Sequence, residues 1–452
     1  MPTILERFEQ LHPRSAELAA RAQQLFPDGV THDLRRLTPF GLYVARAAGS
    51  RKWDVDGNEL VDYVMGHGAL LLGHNHPVVT SAVAEQLLRG SHYGASHELE
   101  VRWGELVQRL VPSARLVRFT SSGTEATMMA ARLARARTGR PLLVRFAYHF
   151  HGWSDQMIGR ARAESLTPVA PGLPPDTLAN VIILPQNDTD ALLATFRQRG
   201  REIAAAIIEP TGASWGTIPL DPAFLEALRE ETQAAGAVLI FDEVITGFRV
   251  APGGAQERFG VTPDLTTLAK ILAGGLPGGA VAGREDIVGM IRFRDDPAWD
   301  ARERVAHPGT FNANPLSAAA GSACLAAIAD GGAQNRAAET CRALVTGMNR
   351  LLREANVTGC VYGDRSMFHI ALGVQPRLVD DFAWDWGGRP GAVLPPVNAE
   401  ATLGLRRALI NEGVDLMGSG GMVSAAHTAE DVAWTLRAFE RALRALRDDG
   451  LL

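Results

Sequence analysis

Among the 45 basic residues of this chain only Lys52 and Lys270 are lysines. Where arginine serves almost every cationic role, a retained lysine marks a task that a guanidinium does badly. A lysine amine can lose its proton and attack an aldehyde carbon, whereas a guanidinium stays protonated and is a poor nucleophile. Lys270 stands in DLTTLAKILAGGLPGGA, an apolar segment followed by a glycine-rich turn that lets backbone approach a flat ligand. Imine formation is the chemistry expected of it; by itself the segment also fits a helix lysine extending its charge to solvent. Lys52, between Arg51 and Trp53 beside a hairpin turn, reads as a solvated charge.

Three further groups suit the same chemistry. Asp242 and Glu243 close the apolar run AVLIFDEV (237–244), which reads as a buried strand. Ligands of open α/β sheets bind beyond the carboxyl ends of strands, so Asp242 is chosen as the partner of a ring nitrogen; an acid capping the next turn is the alternative. LVRFTSSGTEATMMAARLARARTG passes from a strand through SSGTE into a long helix. Free N–H groups and the dipole at that helix start favour a phosphate, with Ser122, Gly123 and Thr124 at the contact, although an ordinary helix cap shows the same string. In YHFHGW (148–153), Phe150 can cover one face of a flat ring while His151 and Gly152 shape the turn. An attacking amine, a carboxylate, a phosphate cup and an aromatic cover are what pyridoxal 5'-phosphate (PLP) requires. Its pyridine ring, kept protonated by a carboxylate, is an electron sink. No metal is expected: neither the His149/His151 pair nor the His74/His76 pair has a third ligand at suitable spacing or a supporting acid.

The elements that must hold these residues follow from periodicity. Residues 14–26 read as an amphipathic helix ended by PDG, and GLYVARAAGSRKWDVDGNELVDYV as a small antiparallel meander with GS and DGN turns. Short apolar runs then alternate with helical stretches: LVRFT (116–120), LLVRF (142–146), VIIL (181–184), AAAIIE (204–209) and AVLIFDEV. This alternation predicts an α/β domain around a mostly parallel sheet covered on both faces. Three divisions are expected: 1–77, the helix and meander, packing with the small domain; 78–329, the large cofactor-binding α/β domain; and 330–452, a smaller α+β domain ending in a helix at 429–447.

A chain of 452 residues, 46% hydrophobic and 21% charged, can bury a large core without staples. A net charge of -5 offers no basic field, so nucleic acid is not the expected partner. The N-terminus lacks an apolar signal core and no apolar run is long enough for a membrane span, so the expected location is cytoplasmic. Cys324, Cys341 and Cys360 lack metal-ligand spacing and read as reduced core thiols.

Taken in order, SSGTEA, YHFHGW, IIEPTGASWG, LIFDEVITGFR, TPDLTTLAKILAGGLPGGA and HPGTFNANPL resemble the class III aminotransferases, and within them the glutamate-1-semialdehyde aminomutase branch. The likeness runs from PDGV at 27 to VSAAHT at 423–428. It implies fold type I, with Lys270 as the Schiff-base lysine, Asp242 at the pyridine nitrogen, Val244 under the ring and Phe150 stacked over it. Gly123 and Thr124 match the phosphate cup and Glu209 the acid near the ring hydroxyl. Thr310 matches a threonine that reaches the phosphate of the neighbouring subunit, which implies a homodimer with shared sites.

Arg35 in PDGVTHDLRRL falls where the aminomutase pattern has a carboxylate-binding arginine, so the likeness implies a carboxylated substrate; a surface charge in a polar loop is the alternative. The chain departs from the aminomutase pattern elsewhere. Thr31, His32 and Asp33 replace an Asn-Ser-Pro element, Phe150 replaces a tyrosine, and Ser214 and Trp215 stand at an asparagine–methionine pair. The late loop LMGSGGMVSAAHT is short and lacks an acid before its glycine. Trp215, Trp153 and His32 could line a larger aromatic pocket, as in relatives acting on β-amino acids, or simply pack. The expected activity is amino transfer from a carboxylated amine, such as a β-amino acid, to a keto acid. The aminomutase reaction is the second reading, and a non-catalytic PLP-binding regulator, against which the retained Lys270 speaks, is the third.

Overall fold

The computed structural model describes residues 2–158, 170–374, 377–378, 384–385 and 398–452. The chain forms two compact units, one from Met1–His76, Asn335–Asp385 and Leu394–Leu452, the other built on Pro77–Gln334.

In the first unit, β1 (Val44–Ala48), β2 (Arg51–Asp54) and β3 (Glu59–Asp62) form the antiparallel meander. Val414–Asp415 adds to β3 in parallel, so N- and C-terminal segments share one sheet. That pairing sets Asp415 beside Asp62, two like charges that need a cation between them. Lys52 supplies it from β2, with Nζ 2.9 Å from Asp62 Oδ1 and 2.6 Å from Asp415 Oδ2. The solvated reading of Lys52 is therefore overturned: the side chain is buried. Burial alone would lower its pKa, but Asp415 and Asp62 outweigh it and hold the ammonium above its ordinary value. The helix expected over 14–26 is Pro13–Ala22, followed by a short 3-10 turn at Pro27–Gly29.

The second unit holds β4 (Leu116–Thr120), β5 (Leu142–Phe146), β6 (Val181–Leu184), β7 (Ile203–Ile208), β8 (Val238–Asp242), β9 (Leu265–Ala269) and β10 (Gly279–Gly283). Their order across the sheet is β4-β10-β9-β8-β7-β5-β6. Only β10 runs against its neighbours, so the carboxyl ends of the other six lie along one edge. Alternate residues feed opposite cores. Leu143, Ile207, Ile240 and Leu265 pack with Met129 and Leu133 of the helix Gly123–Thr138, while Val144, Ile208, Leu239 and Phe241 meet Phe196, Phe224 and Leu228. This is the double-faced burial that fold type I expects.

Two strands were hidden in the sequence. β9 (LTTLA) lies in what reads only as the apolar segment before Lys270, and β10 (GAVAG), all glycine and alanine but for one valine, begins where that segment's glycine-rich turn ends. A Cβ on Gly279 would lie 2.4 Å from the carbonyl oxygen of Ser122, so closeness to the next turn, and not strand propensity, dictates the composition. Cys324, Cys341 and Cys360 are buried and form no disulfide. No single described helix is long and apolar enough to cross a membrane.

Candidate active site

Lys270 follows directly on β9, at the carboxyl edge of the sheet, with a left-handed backbone (φ 54°) that ends the strand. Its amine is pushed down to about 8 by burial, opposed by the charges of Asp242 and Glu209 and assisted by Arg249. Asp242 ends the adjacent β8, where Thr267 of β9 is its register partner. Its Oδ1 accepts from the Val244 N–H at 3.1 Å and the Thr267 hydroxyl at 3.3 Å, and its Oδ2 lies 2.7 Å from His151 Nδ1. Burial lowers the His151 pKa against the pull of Asp242. A carboxylate only accepts, so the neutral ring carries its proton on Nδ1 and donates it. His151 is thus buried behind Asp242, and its expected cofactor role becomes one of holding that carboxylate. Glu243 serves the opposite side, bonded by the Ala255 N–H, Gln256 Nε2 and the Thr246 hydroxyl.

The turn after β4 leads into the helix Gly123–Thr138, capped by Ser122 Oγ, which accepts from the Glu125 N–H. Gly123 is pressed against the segment after Asp242: a Cβ there would lie 2.9 Å from Val244 Cγ2. Gly152, with φ 92°, has Thr124 where its own Cβ would be, 2.5 Å from Oγ1. These two contacts draw the helix start, the 148–153 turn and Val244 together. Phe150 remains 53% exposed and Trp153 72%, so both rings are available to a ligand.

Glu209 stands at the end of β7. Its Oε1 accepts from the N–H groups of Phe150 (2.8 Å) and Ser214 (3.1 Å), and its Oε2 from that of Trp215 (2.9 Å). Burial and the neighbouring Asp242 raise its pKa to about 7, while the three N–H groups pull the other way. Ser214 and Trp215 are half-buried and adopt left-handed backbone, φ 48° and 53°. Behind them His149 Nδ1 accepts from the Glu209 N–H at 3.0 Å and His149 Nε2 donates to Gln186 Oε1 at 2.7 Å. Thr310 is exposed and borders a cavity of about 460 Å³ with Ser121, Glu125, Arg132 and His307.

Arg35 and His32 belong to the first unit, where both are exposed. Arg35 Nη1 donates to the Thr31 hydroxyl at 2.9 Å, and His32 stacks on His67 at 4.9 Å. The one His/Asp group with metal-like spacing among the described residues, His12, Asp54 and Asp56, has its carboxylates taken up by backbone N–H donors of Asp56, Asn58, Arg14 and Ser15.

A family model for class-III aminotransferases matches residues 34–379. The chain belongs to that family. Glutamate-1-semialdehyde 2,1-aminomutase of Methanopyrus kandleri is 38% identical, over 96% of this chain and 98% of the relative. Among solved structures, an omega-transaminase from Sphaerobacter thermophilus matches with a TM-score of 0.86 and 36% identity, covering 96% of this chain and 98% of that one. A beta-phenylalanine aminotransferase from Variovorax paradoxus matches with a TM-score of 0.84 and 30% identity, covering 99% and 97%.

The residues of this class-III aminotransferase fit PLP. An amine of lowered pKa, a strand-end carboxylate, a helix N-terminus freed of Cβ atoms at Gly123 and an uncovered aromatic ring converge on one sheet edge. Sequence reasoning missed Thr267, His149 and Gln186. Thr267 sits within a strand that reads as no strand, and Gln186 lies in no motif, since its contacts join segments far apart in sequence.

Proposed function

We propose that this class-III aminotransferase works intermolecularly, taking the amino group of a carboxylated amine, a β-amino acid, and delivering it to a keto acid. Bound PLP supplies the electron sink and carries the amino group between the two substrates. The protein's own groups do the rest. Lys270 Nζ, its proton loosened by burial, would hold the cofactor and then take and return the proton of the donor's carbon. Asp242, steadied by His151 and Thr267, would keep the ring nitrogen protonated. Ser122, Gly123 and Thr124 at the helix start would receive the phosphate. Thr310 would reach across a homodimer in the cytoplasm.

The observation that carries the donor class is the Ser214–Trp215 turn, where a tryptophan stands in place of the aminomutase pattern's methionine and the main chain is pinned to Glu209. The likeness to the omega-transaminase and the beta-phenylalanine aminotransferase supports the same reading. The aminomutase relatives favour the second reading, intramolecular transfer. Single-turnover absorbance of the holoenzyme separates them. A β-amino acid that converts the cofactor to its amine form, reversed by an added keto acid, is the expected result. Conversion of glutamate 1-semialdehyde to 5-aminolevulinate without any acceptor, with β-amino acids inert, would replace it by the aminomutase.

A further inference from the structure

Glu209 does more than approach a ring. Its two oxygens collect three main-chain N–H groups from two separate turns, the 148–153 turn that carries Phe150 and the 212–216 turn that carries Trp215. The turns are bound together again by the Ser214 hydroxyl, which donates to the Tyr148 carbonyl at 3.2 Å. Below them Gln186 Oε1 accepts from the Ala213 N–H at 2.9 Å while Gln186 Nε2 donates to the Ile218 and Pro219 carbonyls. Tyr148, Ser214 and Trp215 all have φ between 48° and 66°, a left-handed region that is unfavourable for a non-glycine residue. Such backbone persists only where surrounding bonds over-determine it, and Glu209 provides those bonds for both turns.

We infer that Glu209 is a positioning residue that clamps the aromatic cover of the cofactor and the donor-facing Ser214–Trp215 turn into one unit, and thereby sets selectivity for aromatic donors. The inference rests on the proposed function for the assignment of Phe150 to the cofactor and Trp215 to the donor. The clamp itself needs only the hydrogen bonds. Glu209→Gln is the discriminating change, because it turns one accepting oxygen into an amide donor that faces an N–H group.

Amide hydrogen exchange of the full chain, with and without added PLP, reads the clamp without turnover. In E209Q at least one of the Phe150, Ser214 and Trp215 amides should exchange about tenfold faster, the worth of one hydrogen bond, while the Ala213 amide on Gln186 keeps its rate. In the holoenzyme the same variant should lower the ratio of kcat/KM for an aromatic over a small aliphatic β-amino acid by about tenfold. Unchanged exchange overturns the inference. So does faster exchange with equal losses for the two donors, which is the behaviour of a residue that merely supports the fold. If E209Q does not fold, E209Q/S214G keeps both measurements available, since glycine takes the left-handed backbone without strain. A wild-type enzyme that accepts neither donor defeats the proposed function, and the exchange rates still decide the clamp.

Discussion

Lys270 is chemically useful because its surroundings are poor at stabilising a charge. It is half-buried beyond β9, and the nearby carboxylates of Asp242 and Glu209 recover only part of what burial removes. The folded-state pKa, about 8, lies below the ordinary 10.5, so the amine is protonated below that value and free above it. Labelling of the cofactor-free chain with an acylating reagent across a pH series should show Lys270 reactivity rising with a midpoint at about pH 8. Lys52 is the internal reference: held above its ordinary value by two carboxylates, it should label slowly throughout. A Lys270 midpoint near that of a surface lysine would show that burial does not tune it.

At the scale of elements, the parallel pairing of Val414–Asp415 with β3 is tied to a charge balance. Asp62 and Asp415 face each other across the register, and Lys52 on β2 is bonded to both. His74 Nε2, 2.7 Å from Asp62 Oδ2, adds a further donor. Replacing Lys52 by methionine keeps the stem and removes the charge, leaving two buried carboxylates opposed. Urea unfolding should report a loss of about 3–5 kcal/mol, the usual cost of breaking a buried pair. The sign with pH follows from Asp62, whose pKa burial would raise but Lys52 and His74 depress. Its stabilising contribution is present above the unfolded value and fades as pH falls, so the gap between wild type and variant should narrow in acid.

At the scale of the whole molecule, the proposed homodimer bears on the exposed apolar side chains and on Thr310. Leu88 is 91% exposed and Phe311 59%, with Leu87 and Val101 also open. A second copy, as in the proposed homodimer, would cover such side chains. If Thr310 serves the neighbouring subunit, two defective proteins should repair each other. Lys270→Ala removes the reacting amine, and Thr310→Glu sets a negative charge against a phosphate. Each homodimer should be inactive or nearly so, whereas subunits exchanged by mild denaturation and refolding should regain activity from the mixed dimer, which holds one intact site. No recovery, with mixed dimers verified by mass spectrometry, would place Thr310 in its own subunit's site.

What the sequence determined by itself was which single positions have side chains suited to the chemistry and the identity of the strongly apolar strands. Two lysines among so many arginines, the acid closing AVLIFDEV and the SSGTE helix start are local signals, and LVRFT, LLVRF and VIIL became β4, β5 and β6 with unchanged bounds. Tertiary structure alone decided what depends on contacts between distant segments. β10 is a strand because its neighbours bury it, although its glycines and alanines carry little strand preference. Lys52 is buried because Asp415, some 360 residues on, completes its ion pair. Asp242 and Glu243 divide into two roles because adjacent strand-end residues point to opposite faces, one toward His151 and the other toward Gln256. Glu209 became a clamp for the same reason: the N–H groups it gathers come from turns that only the parallel pairing of β5 with β7 brings side by side.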